Sequence, residues 1–242
     1  MNHIPAITLL DIPVHDVTMA ETLDLIAQFV AQGGAHQICT VNPEFIMTAQ
    51  DDLEFKHILN RAALNLPDGI GVVWAAKRQG RVLRERVAGS DLIYQLADRA
   101  VKTGWKIFLL GAAEGVADQA ALKLQMLYPG VKIVGAWAGS PRATEDDEAV
   151  QQIIAAQADI VLVAYGAPKQ DKWIDRNLAR TGASVAIGMG GSFDFVVGTQ
   201  RRAPQWIRRL NLEWLYRLVR EPWRWRRQLA LPRFVWKVMR NA

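Results

Sequence analysis

The stretch ADIVLVAYGAPKQ, residues 158–170, joins an apolar run to a loop that contains glycine and proline. Five apolar residues in succession, at positions 160–164, are typical of a strand that is buried on both faces of a parallel sheet. Pro168 lies where proline favours the first turn of a helix, and a helical pattern follows over residues 169–180. The stretch therefore predicts a strand, a loop and a helix in that order.

The same order of elements recurs along the rest of the chain. Strands are predicted over residues 7–10, 37–41, 63–66, 106–110, 132–135, 160–164 and 185–187. Helices are predicted over residues 19–31, 53–61, 70–79, 91–103, 116–127, 145–157 and 169–180, with Thr144 as the N-cap of the helix at 145–157. This alternation predicts an α/β fold: a Rossmann-like, largely parallel sheet that is sandwiched by helices.

The composition is that of a globular protein without a metal site. Of the 242 residues, 50% are hydrophobic and 22% are charged, which excludes a disordered or low-complexity chain. The single cysteine, Cys39, cannot form an internal disulfide and indicates a reducing compartment. The four histidines lack metal-ligand spacing, and no Asp-x-Asp pair follows a predicted strand. We therefore expect no metal and no other cofactor.

No segment of the chain has the pattern of a membrane-crossing or secreted protein. The first residues lack the basic start and apolar run of a secretory signal. No window of about 18 residues is both apolar and free of charge. We therefore expect a cytoplasmic protein that meets a membrane only at its surface.

Positive charge is concentrated at the C-terminal end. Residues 201–242 contain 12 of the 29 Lys and Arg residues, five of the nine tryptophans and only two acidic residues. Apolar residues there recur at spacings of three and four, as in an amphipathic helix; they are Ile207, Leu210, Trp214, Leu215 and Leu218. We expect an α/β body over residues 1–198 and a basic helical appendage over residues 199–242, with helix breaks at Pro222 and Pro232.

Three interpretations of the appendage are open. Interleaved arginine and tryptophan suit the headgroup region of an anionic membrane. They also suit stacking on single-stranded nucleic acid. The third interpretation is a helical subdomain whose tryptophans form a core and whose arginines lie in solvent.

Polar residues follow two of the predicted strands. Right-handed crossovers bring the carboxyl ends of parallel strands to one edge of the sheet, where ligands bind in open α/β folds. Asp68, in a Pro-Asp-Gly turn, is a candidate general base or the N-cap of the helix that begins near residue 70. Thr40 and Asn42 could join it in a polar cluster, or Asn42 and the following proline could form a hydrogen-bonded turn.

Two further loops have the residues to handle phosphate. The turn that begins at Gly111 resembles a phosphate-binding βα turn, or is a simple tight turn. Lys169 could neutralise a phosphate and Gln170 could hold a hydroxyl group, unless both are solvated surface residues.

A glycine-rich loop and an arginine complete the candidates. Gly190 and Gly191 allow close approach of the backbone to a ligand, or serve a turn, and they precede Asp194. Arg86 could reach the same pocket, or lie in solvent.

Strings distributed over nearly the whole chain resemble the WecG/TagA/CpsF family, glycosyltransferase family 26. They occur in the family's order and are TVNPE at 40–44, LPDGIG at 66–71, RVAGSD at 86–91, FLLG at 108–111, GAPKQ at 166–170, GMGGSFD at 188–194, RAP at 202–204 and LEWLYRL at 212–218. The resemblance implies an inverting enzyme that moves a sugar from a UDP-sugar to an undecaprenyl-diphosphate-linked saccharide. The setting it implies is the cytoplasmic membrane face, in teichoic acid, enterobacterial common antigen or exopolysaccharide synthesis.

The resemblance also implies roles for residues and partners. The sugar that is transferred would be N-acetylmannosamine, mannosaminuronate or glucose. The membrane surface that the protein binds would be anionic. Copies of the chain could associate with one another, and nucleic acid is not an expected partner. Catalytic roles are predicted for Asp68 as the base, Thr40 and Gln170. Substrate-binding roles are predicted for Asn42, Arg86, Gly111, Lys169, Gly190, Gly191, Asp194, Arg217, Arg224 and Arg227.

Two other functions are open on the residues alone. A Rossmann-type oxidoreductase would explain the α/β alternation, although the sequence lacks the G-x-G-x-x-G turn of dinucleotide-binding domains. A non-catalytic membrane-surface or scaffold protein would bind its partner through the appendage, without any reaction in the pocket.

Overall fold

The computed structural model describes residues 4–200, 203, 204, 207, 213–220, 225 and 229–241. Its strands are β1 (Ala6–Leu9), β2 (Ile12–His15), β3 (His36–Val41), β4 (Leu64–Pro67), β5 (Lys106–Gly111), β6 (Lys132–Trp137), β7 (Ile160–Ala164) and β8 (Val185–Gly188). Its helices are α1 (Met19–Gln32), α2 (Pro43–Asp51), α3 (Leu53–Arg61), α4 (Ile70–Arg78), α5 (Gly89–Thr103), α6 (Val116–Leu127), α7 (Asp146–Ala156), α8 (Lys169–Thr181), α9 (Ser192–Val197), α10 (Glu213–Arg220) and α11 (Ala230–Asn241).

Six strands form one parallel sheet in the order β4-β3-β8-β7-β5-β6. Successive side chains of β5 alternate between two cores. Ile107 and Leu109 belong to the core with α1, α5 and α6, whereas Phe108 and Leu110 belong to the core with α7 and α8. Burial on both faces explains why this strand is uniformly apolar. The predicted α/β fold with a Rossmann-like parallel sheet is confirmed.

A hairpin covers the edge of the sheet at β4. β1 and β2 pair antiparallel, and Asn65 of β4 connects to β2 through its side chain and its backbone. The Asn65 Nδ2 group donates to Pro13 O at 2.9 Å, and its backbone N–H donates to His15 Nδ1 at 2.9 Å. The sequence prediction missed β2, because proline within so short a run lowers the strand signal.

Two predictions about helix ends are wrong. Thr144 lies in a 3₁₀ turn, Ala143–Glu145, and α7 begins at Asp146 without a side-chain cap. Pro232 lies in the first turn of α11 and does not separate two helices. A proline is tolerated there because the first N–H groups of a helix have no partner within the helix.

The last helix packs on the body of the protein. Phe234 and Val238 of α11 are 1% and 3% exposed, within the hydrophobic core that contains α2, α4 and the hairpin. Arg233 lies 3.4 Å from the carboxylate of Asp51 at the end of α2. The opposite face of α11 leaves Trp236 59% exposed. α11 is therefore amphipathic, with its inner face in the core of the body.

Candidate functional site at the carboxyl edge of the sheet

The candidate site is at the carboxyl edge of the sheet, where loops from several strands meet. We call the ends of β4, β3 and β8 the aspartate side, and the ends of β7, β5 and β6 the cleft side. β5 leads outward to β6, whereas β7 leads inward to β8, so the connections diverge between β5 and β7. Crevices at such divergence points are where open α/β sheets bind ligands.

Asp68 stands on the aspartate side, directly after β4. Its backbone N–H donates to Val41 O at the end of β3, at 2.9 Å. The N–H of Val87 donates to Pro67 O, also at 2.9 Å, which brings the segment before α5 to the same place. Hydrogen bonds to backbone therefore fix the position of Asp68 from two sides.

Asp68 does not cap the following helix. The N-cap of α4 is Gly69, whose φ of +111° favours glycine, and no side chain makes the cap hydrogen bond. The capping alternative for Asp68 is therefore wrong. The carboxylate is partly exposed at the carboxyl edge, and its role as a general base stays a prediction.

Thr40 lies beside Asp68 on the neighbouring strand and is nearly buried. Its Oγ1 donates to Gly188 O, at the end of β8, at 3.1 Å. A Cβ at position 89 would lie 3.2 Å from Thr40 Cγ2 and 3.7 Å from Ser192 Oγ, so glycine there lets α5 and α9 start close to β3. Ser192, which the sequence prediction left out, donates to Met189 O at 2.7 Å. Thr40 and Ser192 thus both lie beside Gly89, at the start of α5.

Asn42 has a structural role that the sequence prediction missed. Its Oδ1 accepts a hydrogen bond from the N–H of Phe45 at 3.0 Å, and it is the N-cap of α2 with Pro43 in the first turn. Asn-Pro here begins a helix and not an isolated turn. A contact between Asn42 and substrate stays a prediction.

Gln170 links the two sides of the edge. It is 1% exposed, and its Oε1 accepts from the N–H of Gly166 at 3.1 Å and from that of Gly190 at 2.9 Å. Gly166 follows β7 and Gly190 follows β8. The interpretation of Gln170 as a solvated surface residue is wrong, and its predicted catalytic role stays a prediction.

Asp171, next to Gln170, is a buried carboxylate that the sequence prediction did not single out. Both of its oxygens are buried and have no hydrogen-bond partner among the described residues. Burial raises the pKa of Asp171 to about 7 and holds the pKa of the neighbouring Cys39 thiol well above its usual range. The buried positions of α8 recur at spacings of three and four, which is the signal that would have placed Asp171 inside.

Gly111 lies at the end of β5, where this strand packs closely against β7. Its φ is +103°, and a Cβ there would lie 2.9 Å from the carbonyl carbon of Ala164. The N–H of Ala112 then donates to Ala164 O at 3.0 Å. The structure explains Gly111 by strand packing, and a phosphate contact at this turn stays a prediction.

The loop after β8 has open space at Gly190 and hydrogen bonds around Asp194. Gly190 has a φ of +53°, and a Cβ there would meet no atom within 4 Å. The Asp194 Oδ1 atom accepts from Thr199 Oγ1 at 3.2 Å, and its backbone oxygen accepts from the N–H of Gly198 at 2.9 Å. A Cβ at Gly191 would lie 3.9 Å from Asp194 Oδ2. This loop therefore has room for a ligand beside Gly190.

Lys169 lies on the cleft side, away from Asp68's strand. A cleft of about 580 Å³ opens there, lined by Gly139, Ser140, Pro141, Arg142, Glu145, Lys169, Lys172 and Arg176. Lys172 pairs with Asp52 and Glu54 at 2.8 and 2.6 Å, whereas Lys169 has no ion pair among the described residues. The cleft thus presents one uncompensated amine to an anion.

The structure describes Arg86 in full and the three predicted arginines of the C-terminal segment in part or not at all. Arg86 lies in the segment between α4 and α5, with its guanidinium 4.0 Å from Asp91 Oδ2. Only the backbone of Arg217, in α10, is described, and Arg224 and Arg227 lie outside the described residues.

In the described part of the chain, no three His, Cys, Asp or Glu side chains group as a metal site, and no helix has the length and apolarity to cross a membrane.

Comparisons with known proteins agree with this geometry. The model of the glycosyl transferase WecG/TagA/CpsF family matches residues 7–242. The chain belongs to this family. Glycosyltransferase chemistry therefore replaces the oxidoreductase alternative, and the family resemblance that the sequence strings predicted is confirmed.

Curated relatives of this WecG/TagA/CpsF family member share most of its length. A Bacillus subtilis (strain 168) protein is 37% identical over 97% of this chain and 91% of its own. A Bacillus spizizenii protein is 37% identical over 84% and 79% of the two chains, and a Staphylococcus aureus (strain MW2) protein is 31% identical over 96% and 91%. All three are named N-acetylglucosaminyldiphosphoundecaprenol N-acetyl-beta-D-mannosaminyltransferase.

Proposed function

We propose that this chain transfers N-acetylmannosamine from a UDP-sugar to N-acetylglucosamine carried on undecaprenyl diphosphate, with Asp68 as the base. The position of Asp68 is the observation that carries the proposal: a partly exposed carboxylate at the carboxyl edge that is held in place by the ends of β3 and β4. The names of the relatives supply the sugar and the acceptor. Mannosaminuronate and glucose are the alternative sugars.

The proposed reaction is a single displacement. Asp68 takes the proton of the acceptor hydroxyl as that oxygen attacks the anomeric carbon. The bond between that carbon and the UDP oxygen breaks on the opposite face, and UDP leaves with the electron pair. A β-linked product from an α-linked UDP-sugar requires this inversion, and the relatives are named for a β-linked sugar.

The leaving diphosphate needs positive charge beside it. We assign this to guanidinium and ammonium groups, which offer fixed hydrogen-bond donors where charge develops. Arg86 on the aspartate side and Lys169 on the cleft side are the candidates in the described chain. Arg217, Arg224 and Arg227 are the candidates in the C-terminal segment, and no metal ion is needed in this proposal.

Membrane attachment through the C-terminal segment would bring the enzyme to its lipid-linked acceptor. α11 supports this proposal because its outer face exposes Trp236 and Met239 beside Lys237 and Arg240, while its inner face is buried in the body. Each basic residue near an anionic surface contributes about 1 kcal/mol, so attachment to the inner face of the cell membrane would be peripheral and salt-sensitive.

Removal of the whole C-terminal segment is a poor test of this proposal. Phe234 and Val238 are part of the core of the body, and loss of a buried phenylalanine side chain alone costs about 3–5 kcal/mol. Deletion of the residues after 198 would therefore lower the stability of the body. Substitutions on the outer face, such as Trp236→Ala, test the membrane role with the core intact.

The experiment is an assay of purified full-length protein with a panel of UDP-sugars and a short-chain lipid-diphosphate acceptor, analysed by mass spectrometry. We expect the acceptor to gain the mass of one N-acetylhexosamine, and NMR of the product to show a β-linkage. Gain of a hexose or of a uronic acid derivative would identify one of the alternative sugars. No mass gain with any donor would contradict the proposed function.

A further inference from the structure

The segment that connects α4 to α5 is held by contacts outside regular structure. Residues 79–88 contain no strand and no helix, yet they bring Arg86 to the aspartate side of the edge. The N–H of Val87 donates to Pro67 O, one residue before Asp68. The position of Arg86 relative to Asp68 therefore also depends on what fixes the part of the segment just before Arg86.

Arg84, two residues before Arg86, fixes that part of the segment. Its backbone N–H donates to Asp16 Oδ1 at 2.8 Å, and its Nε donates to Asp16 Oδ2 at 3.0 Å. One terminal nitrogen donates to Glu21 Oε1 at 2.8 Å; the other donates to Asp16 O and to Glu21 Oε2, both at 2.7 Å. All the nitrogens of the guanidinium are thus engaged by two acidic residues, a geometry that only arginine provides.

One of the two acceptor residues of Arg84, Glu21, lies on a helix, whereas Asp16 lies in the connection between β2 and α1. Glu21 is in the first turn of α1 and completes a capping box with Thr18, whose N–H donates to Glu21 Oε2 at 2.8 Å. The next residue of the segment, Glu85, accepts from the N–H of Met19 at 3.0 Å. Hydrogen bonds from Arg84, and to a smaller extent from Thr18, lower the pKa of Glu21, because they stabilise its charged carboxylate.

We propose that Arg84 is a positioning residue, which holds Arg86 at the aspartate side through the start of α1. This inference rests on the proposed function, since it concerns the place of Arg86 beside the leaving diphosphate. Arg84 itself points to α1 and does not touch the reacting groups. A group that places a charged residue within an active site affects the rate strongly, since a displacement of about 1 Å can reduce it about 100-fold.

The experiment is a double-mutant cycle in the full-length protein, with Arg84→Gln, Arg86→Gln and both together. Arg99→Gln is the matched control, because Arg99 also pairs with an α1 carboxylate, Asp24, but holds no loop of the edge. We expect Arg84→Gln to lower kcat/KM by up to about 100-fold. Because Arg84 acts through Arg86, the double variant should lose no more than Arg86→Gln alone.

Two outcomes of the cycle would overturn the inference. One is a loss in Arg84→Gln no larger than that in Arg99→Gln. The other is additive losses in the double variant, which would mean that Arg84 acts through stability and not through Arg86. Arg84→Lys should fail to restore the rate, because an ammonium group cannot engage both carboxylates as the guanidinium does.

Hydrogen exchange tests the anchoring without reference to activity. Amides of residues 79–88 should exchange faster in Arg84→Gln than in wild type, while those of α5 should keep their protection. Unchanged exchange would overturn the inference even if the enzyme is active. If wild type shows no transfer with any donor, the proposed function fails, and faster exchange in the variant still supports Arg84 as the anchor of the segment.

Discussion

The two sides of the carboxyl edge differ in how they hold their charged groups. On the aspartate side, Asp68 follows β4 on a backbone that is hydrogen-bonded to β3, and the arginine segment is tied to the same loop. On the cleft side, most cations are already paired with acids; Lys169 has no such pair among the described residues. The aspartate side thus fixes a base, whereas the cleft side leaves one charge available.

One edge of the sheet can thereby serve two chemical needs. Proton abstraction requires a group held within hydrogen-bond distance of the acceptor, so a rigid position is needed. Charge neutralisation tolerates a longer and less fixed group, because a lysine amine acts as a point charge. Gln170 joins the two sides through Gly166 and Gly190 and keeps their distance constant.

Loss of the carboxylate at position 68 should have the largest effect. Asp68→Asn should lower the transfer rate by about 10²–10⁴-fold, the usual contribution of a general base, and leave the fold unchanged. Steady-state kinetics measures this. Asp98→Asn, on the exposed face of α5, is the control. Equal rates in the two variants would break the assignment of the base to the aspartate side.

Asp171 should make stability depend on pH. Its pKa is about 7 in the folded chain against an ordinary 3.8, so the folded state holds the proton more tightly. The contribution of Asp171 to the free energy of unfolding is then largest below pH 4 and falls as the pH rises toward 7, by up to about 1.4 kcal/mol per pH unit. In urea unfolding between pH 4 and 7, the slope of stability against pH should therefore be more negative in wild type than in Asp171→Asn. Equal slopes would contradict it.

Removal of the Gln170 link should uncouple the two sides. Gln170→Ala leaves two partly buried N–H groups without their acceptor, and the loss for each is smaller than the roughly 1–3 kcal/mol that a fully buried group would cost. We expect lower stability in urea, and faster hydrogen exchange in the loops after β7 and β8. Gln119→Ala, on the exposed face of α6, is the control. If the variant is as stable as this control, the two loops do not depend on the link.

The two lysines of the cleft, Lys169 and Lys172, should differ in role: the first should bind substrate and the second should stabilise the fold. Lys169→Gln should raise the KM for the UDP-sugar about tenfold, which corresponds to 1.4 kcal/mol, with no change in stability. Lys172→Gln should leave the KM unchanged and lower stability by up to about 1 kcal/mol, because it breaks two partly exposed ion pairs. The reverse pattern would place the free charge at Lys172.

The sequence predicts the parallel sheet well. Strands such as β7 are buried on both faces, and this burial appears in the sequence as uninterrupted apolar runs. It missed α2, since Asn42 and Pro43 suit a turn as well as a helix start, and only the following residues decide between them. It placed Asp68, Thr40 and Gln170 near one edge through the order of strands, and it gave Arg86 only as a residue that could reach the same pocket. It did not predict the burial of Gln170 and Asp171, which depends on how α8 packs over β3 and β8.

The most direct test of the account is a crystal structure of the enzyme with UDP and a short-chain acceptor. We expect the acceptor hydroxyl about 2.6–3.2 Å from a carboxylate oxygen of Asp68, with the diphosphate of UDP on the far side of the anomeric position. An acceptor hydroxyl bound at the cleft side, beyond the reach of Asp68, would contradict it.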